Sequence, residues 1–170
     1  MSRAAWALAV CIGWGMPVSL QAVTSQSFQV SATITPGCLV VGGGANYGSL
    51  AFGTYSALAT STATVALTGG VTLQCTPGVA LNMTVDGGLH NNSGRRLQLN
   101  SGSAQVGYQL FRDAAFSQSL GISQSVSVAY SNAANITLPI YGRVQLPGNQ
   151  PGGTYSDTLQ VQLSWLSDWQ

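Results

Sequence analysis

Apolar and polar residues alternate with a period of two along several stretches of this chain. Phe28, Val30, Ala32 and Ile34 alternate with Gln29, Ser31 and Thr33. Val79, Leu81, Met83 and Val85 alternate with Ala80, Asn82 and Thr84. Shorter rows follow at Val106, Tyr108 and Leu110 and at Ile136, Leu138 and Ile140. The clearest row is the last, where Leu159, Val161, Leu163 and Trp165 stand against Thr158, Gln160, Gln162 and Ser164. Successive side chains of a strand point to opposite faces, so each row predicts a strand with one buried and one wet face. Turn-forming pairs separate the rows, among them Pro36-Gly37, Gly69-Gly70, Pro77-Gly78, Asp86-Gly87 and Pro147-Gly148. No stretch of residues 23–170 sustains the i, i+3, i+4, i+7 spacing of an amphipathic helix. Many short strands between turns predict an all-β fold, an immunoglobulin-like β-sandwich in one domain. Residues 114–125 are the least regular and are expected to be loop.

The N-terminus breaks this pattern. Arg3 precedes an apolar run of about 15 residues, and Ser19, Leu20, Gln21 and Ala22 follow it. The run is shorter than the roughly 18 residues of a spanning helix. It reads as a secretory signal, residues 1–22, cut after Ala22. A lipoprotein signal ending at Cys11 is the alternative, disfavoured because the apolar run continues past that cysteine. Export changes the meaning of the remaining cysteines, Cys38 and Cys75. Two thiols in an oxidising compartment are expected to form a disulfide. A zinc site would need paired ligand spacing, and His90 is the sole histidine.

Charge narrows the function classes. Only 5% of residues are charged, and there is no Lys and no Glu. Residues 23–170 hold four Arg and four Asp, scattered along the chain. That lacks the basic face a nucleic-acid binder needs. His90 lies near Asp86 and Ser93, but in a turn-rich stretch with no nucleophile motif around the serine, so no catalytic site is expected. The four Asp make a paired-carboxylate site improbable. Gly42-Gly43-Gly44 has no lysine and no strand-to-helix setting, so it is a turn and not a phosphate loop. Of Arg95 and Arg96, one is expected to face solvent and the other to meet an Asp or a backbone carbonyl. No cofactor, metal or small-molecule substrate is expected. A nearly uncharged surface offers little repulsion between copies, which suits a subunit that assembles.

A set of short motifs, in order and spacing, resembles the spore coat protein U domain. They are Gly37-Cys38, residues 47–55 (YGSLAFGTY), residues 73–76 (LQCT) and residues 86–88 (DGG). The resemblance continues through residues 95–97 (RRL), 108–113 (YQLFRD), 140–144 (IYGRV) and 153–161 (GTYSDTLQV). That family includes subunits of Csu-type, or archaic, chaperone–usher pili. The resemblance implies an incomplete pilin-type sandwich lacking its last strand. A periplasmic chaperone would fill the resulting groove first. The N-terminal extension of a neighbouring pilin subunit would replace it in the fibre, with an outer-membrane usher as a further partner. This is donor-strand complementation.

On that reading residues 23–36 are a donor-strand extension, with Phe28, Val30, Ala32 and Ile34 as its inward row, and residues 37–170 are the pilin domain. The alternative is that this row is the first strand of its own sheet. Leu159, Val161, Leu163 and Trp165 would edge the acceptor groove. The expected function is a structural subunit of a surface pilus, serving adhesion and biofilm formation after transit through the periplasm. A spore or cell coat protein is the second reading, and a secreted monomeric binding domain the third.

Overall fold

A computed structural model of the chain describes residues 29–42 and 46–166. The chain divides into two units, Met1–Thr33 and Ile34–Gln170. Of the first, residues 29–33 are described, and they carry no regular structure. The proposed signal and Phe28 lie outside the described residues.

The second unit is all-β and antiparallel, with no helix among the described residues. Its strands are β1 (Cys38–Val41), β2 (Thr62–Ala66), β3 (Thr72–Cys75), β4 (Ala80–Val85) and β5 (Arg96–Leu99). They continue with β6 (Gln105–Phe111), β7 (Val126–Ser127), β8 (Tyr141–Gln145), β9 (Tyr155–Ser156) and β10 (Val161–Leu166). They form a two-stranded sheet β1-β3, a three-stranded sheet β10-β4-β7 and a five-stranded sheet β2-β8-β6-β5-β9.

The alternation read from the sequence builds the core. On β4, Leu81, Met83 and Val85 are fully buried. On β6, Val106, Tyr108 and Leu110 are buried while Gly107 and Gln109 are exposed. These rows meet Leu73, Leu120, Ile136 and Val144 in one apolar cluster. Each such side chain, taken out of water, contributes roughly 1.5–3 kcal/mol. One close approach depends on a glycine: Leu110 pairs with Gly142 on β8, and a Cβ at Gly142 would lie 2.8 Å from the Phe52 ring. Phe52 therefore packs down onto bare strand backbone.

Cys38 and Cys75 are disulfide-bonded and sit opposite each other in the β1–β3 register. The bond joins strands separated by 37 positions in sequence.

Two rows depart from expectation. Ile136, Leu138 and Ile140 are buried as their alternation predicts, but they form no strand. Ile136 makes one isolated bridge to Leu73. Pro139 has no N–H to donate, and it interrupts the ladder until β8 starts at Tyr141. The final strand begins at Val161, two residues after Leu159. Residues 114–125 hold no strand, as expected of a loop.

Candidate functional site: an open-sided groove

β10 is bonded to β4 along one edge, with Val161 opposite Val85, Leu163 opposite Met83 and Trp165 opposite Leu81. Its other edge pairs with no strand among the described residues. Leu159, Val161 and Leu163 are half-buried, although they share a face with fully buried partners on β4. Trp165, expected in the same buried row, is 42% exposed.

Across from this edge runs the segment 47–55. Ser49 exchanges two backbone hydrogen bonds with Thr68, at 2.9 and 3.0 Å. Gly48 allows the approach: its φ is 122°, and a Cβ there would lie 2.6 Å from the Thr68 carbonyl oxygen. Beyond Ser49, residues 50–55 make no backbone–backbone hydrogen bond among the described residues. Leu50 and Phe52 turn inward against the core, and Ala51 and Gly53 stay exposed.

Between these two walls lies a groove of about 1390 Å³. Leu50, Phe52, Leu159 and Val161 line its sides, and Leu67, Val106, Tyr108, Ile140 and Val144 lie beneath. An apolar floor between the free edge of β10 and a second segment with no backbone–backbone hydrogen bonds is the geometry that accepts an added strand.

Polar groups hold the chain that leads into β10. The Tyr108 hydroxyl donates to Asp157 Oδ2 at 2.7 Å, and the His90 and Thr158 amides donate to Oδ1. Burial, then the bond to Asp157, pushes the Tyr108 phenol well above its ordinary value. The Asp86 carboxylate accepts from the Gly88 and Gln160 amides. The Asp86 amide in turn donates to the Gln160 carbonyl, which extends the β4–β10 ladder by one bond. Asp86 and His90, weighed above as catalytic candidates, thus serve to bind a loop, and His90 does so through its backbone.

Arg95 is 6% exposed. Its guanidinium donates to the carbonyls of Asp86, Leu120, Val85 and Gly121, at 2.7–3.2 Å. It ties the end of β4 to the loop after β6. Arg96, next along, reaches only the Asn92 carbonyl. The expectation of one inward and one outward arginine is met, with carbonyls as the buried partners.

On the donor side, residues 29–37 join no strand. Val30 is 81% and Ile34 85% exposed, and Ala32 is exposed between them. The alternative, that this row is the first strand of the chain's own sheet, does not hold for the described residues. The second groove wall at residues 50–55, the Tyr108–Asp157 bond and the Arg95 cradle were not located from alternation. Only the family motifs touched the first two. A glycine on the buried face of a strand, Gly142, was the available sign of a packed neighbour.

The fold and groove define a class: a disulfide-stapled antiparallel β-sandwich in which the outer edge of β10 and an apolar slot beside it stay open among the described residues. The family model for the Spore Coat Protein U domain matches residues 24–162, and the chain belongs to that family. A solved structure similar to it is the CsuC–CsuE chaperone–tip adhesion subunit pre-assembly complex from archaic chaperone-usher Csu pili of Acinetobacter baumannii. The match has 15% identity and a TM-score of 0.49, and covers 77% of this chain and 40% of that one. No curated protein matches the chain.

Proposed function

We propose that the chain is a structural subunit of a chaperone–usher surface pilus, which polymerises by donor-strand exchange. The observation that carries this reading is the groove: the unpaired edge of β10 and the unpaired segment 50–55 flank an apolar floor. An edge strand in that state invites pairing with another chain. Family membership supports the same reading. The unpaired, exposed row Val30, Ala32 and Ile34 is the proposed donor, with Phe28 at its start. A periplasmic chaperone occupies the groove before assembly, an outer-membrane usher receives the complex, and neighbouring subunits fill the groove in the fibre. The subunit passes through the periplasm to the cell surface, where fibres serve adhesion and biofilm formation.

The test is recovery of the chain from periplasm with and without a co-expressed chaperone of the archaic chaperone–usher type. The expected result is a stoichiometric complex with the chaperone, and degradation alone. Changing Leu159 and Val161 together to Asn should abolish the complex. A stable free monomer in both preparations overturns the reading. The family description itself keeps a coat protein in view; assembly without any chaperone or usher would favour it.

A further inference from the structure

A second concavity lies on the outer face of the five-stranded sheet, away from the groove's floor residues except at Tyr108. It holds about 540 Å³ and is lined by Arg96, Gly107, Gln109, Arg143 and Gln145, with Thr62 and Ser93 at its rim. The register accounts for the cluster. Arg96 on β5 stands opposite Gly107 on β6, and Gln109 on β6 stands opposite Arg143 on β8. The intervening residues of these strands, Val106, Tyr108 and Val144, point into the core.

Gly107 opens this concavity, and the backbone does not require it. Its φ is not in the left-handed region, and a Cβ there would meet nothing closer than 4.0 Å. Glycine in the middle of a strand is destabilising relative to alanine, and it often marks a place where something approaches the backbone closely. One of the two atoms at 4.0 Å is Arg96 Nη1, so that guanidinium leans over the bare position.

The lining presents donors. Arg96 Nε donates to the Asn92 carbonyl, and Arg143 Nη2 donates to Gln109 Oε1, both at 2.9 Å. Arg143 also lies over the Phe111 ring, 4.4 Å from its centroid, which fixes its plane. Both arginines therefore spend part of their fork on neutral oxygens and keep other N–H groups turned to the surface. Gln145 is occupied at both ends, by Thr62 Oγ1 and the Thr60 carbonyl. Gln109 has its oxygen occupied and its amide nitrogen available. No carboxylate among the described residues neutralises the pair. Asp86 and Asp157 are bound beside the groove, and Asp113 accepts from Ser117 and Gln118 within its own loop.

We propose that this concavity binds a carboxylated sugar, with Arg96 and Arg143 gripping the carboxylate and Gln109 a neighbouring hydroxyl. A guanidinium fork matches a carboxylate bidentately. Two cations on a chain this close to neutral are too few for a nucleic-acid backbone. A protein partner wants an apolar anchor at the centre, and the lining supplies none. A compact anion surrounded by hydroxyls fits the donors and the size. The site is independent of strand exchange, and failure of either proposal leaves the other standing.

The probes are galacturonate and polygalacturonate, added to the exported full chain and followed by calorimetry and biolayer interferometry. The expected result is binding that falls tenfold or more in Arg96→Gln and in Arg143→Gln. Gly107→Val keeps both charges, fills the bare position and should lose binding equally. Binding of the monomer points to a free sugar acid or chain end, and binding of the polymer alone to an internal unit; both support the proposal. It is overturned if neither probe binds, or if Gly107→Val binds as the parent does. It is also overturned if polyglutamate or dextran sulfate binds as well as polygalacturonate with the same sensitivity to the three variants.

Discussion

Arg95 and Tyr108 show how single polar residues hold an otherwise apolar interior. Four carbonyls accept from the Arg95 guanidinium, and burial lowers its proton affinity. Arg95→Met keeps the apolar stem and leaves the Asp86 and Leu120 carbonyls without that donor, while the Val85 and Gly121 carbonyls keep the Ser123 and Gln124 amides. The expected loss is about 2–4 kcal/mol in denaturant unfolding, since hydrogen bonds to a charged group are the strong ones. Tyr108 gives a pH dependence of definite sign. Its folded-state proton affinity is raised, so its contribution to stability is fully present below the unfolded value of about 10. As pH climbs past that value, the unfolded chain loses a proton that the folded chain keeps, and stability falls. Tyr108→Phe should flatten that part of the alkaline slope, read as melting temperature against pH for parent and variant. The two residues differ in legibility. The Arg95-Arg96 pair invited one buried arginine, whereas nothing local in the sequence connects Tyr108 to Asp157, which lies 49 positions away.

At the scale of elements, alternation was a reliable guide to burial and a weaker one to pairing. β4 and β6 buried the residues that the pattern marked. The row at Ile136, Leu138 and Ile140 also buried them, yet Pro139 kept it out of the sheet. Burial depends on side-chain direction, but a ladder needs an N–H at every other position, and the two requirements part company at a proline. The disulfide acts at this scale as well. It pins β1, whose partner in the sheet is β3, just after residues 29–37, which join no strand. Replacing both cysteines with serine should cost about 3–4 kcal/mol by the loop-closure account, measured as a shift in denaturant midpoint under oxidising conditions. Gly142→Val tests the seat of Phe52: its side chain would force the ring off β8, at a cost of about 1–3 kcal/mol.

For the whole molecule, the open edge of β10 and the low charge act together. With few charges to keep copies apart, an unpaired strand beside an apolar slot should drive concentration-dependent association of the isolated chain. Sedimentation at increasing concentration checks this. Fusing a second copy of residues 27–35 after Gln170 should suppress the association and raise the melting temperature by 10 °C or more, on the order of what several kcal/mol produce in a domain of this size. A fusion that leaves both unchanged counts against residues 27–35 as the donor. The sugar-acid site makes no demand on this experiment, because it lies on the outer face of the other sheet.

By itself the sequence determined that the chain is all-β, where most of its buried rows lie, and which two cysteines meet. These follow from local rules: period-two alternation, turn residues, and a pair of thiols outside the apolar N-terminal run. Only the tertiary structure decided that residues 50–55 form the second wall of the groove, and that Asp157 and Tyr108 meet beside it. It also decided that Gly107 lies bare opposite Arg96. Each of these depends on strands brought together from distant parts of the chain. Sheet register sets such neighbours, and register is a property of the folded sandwich as a whole.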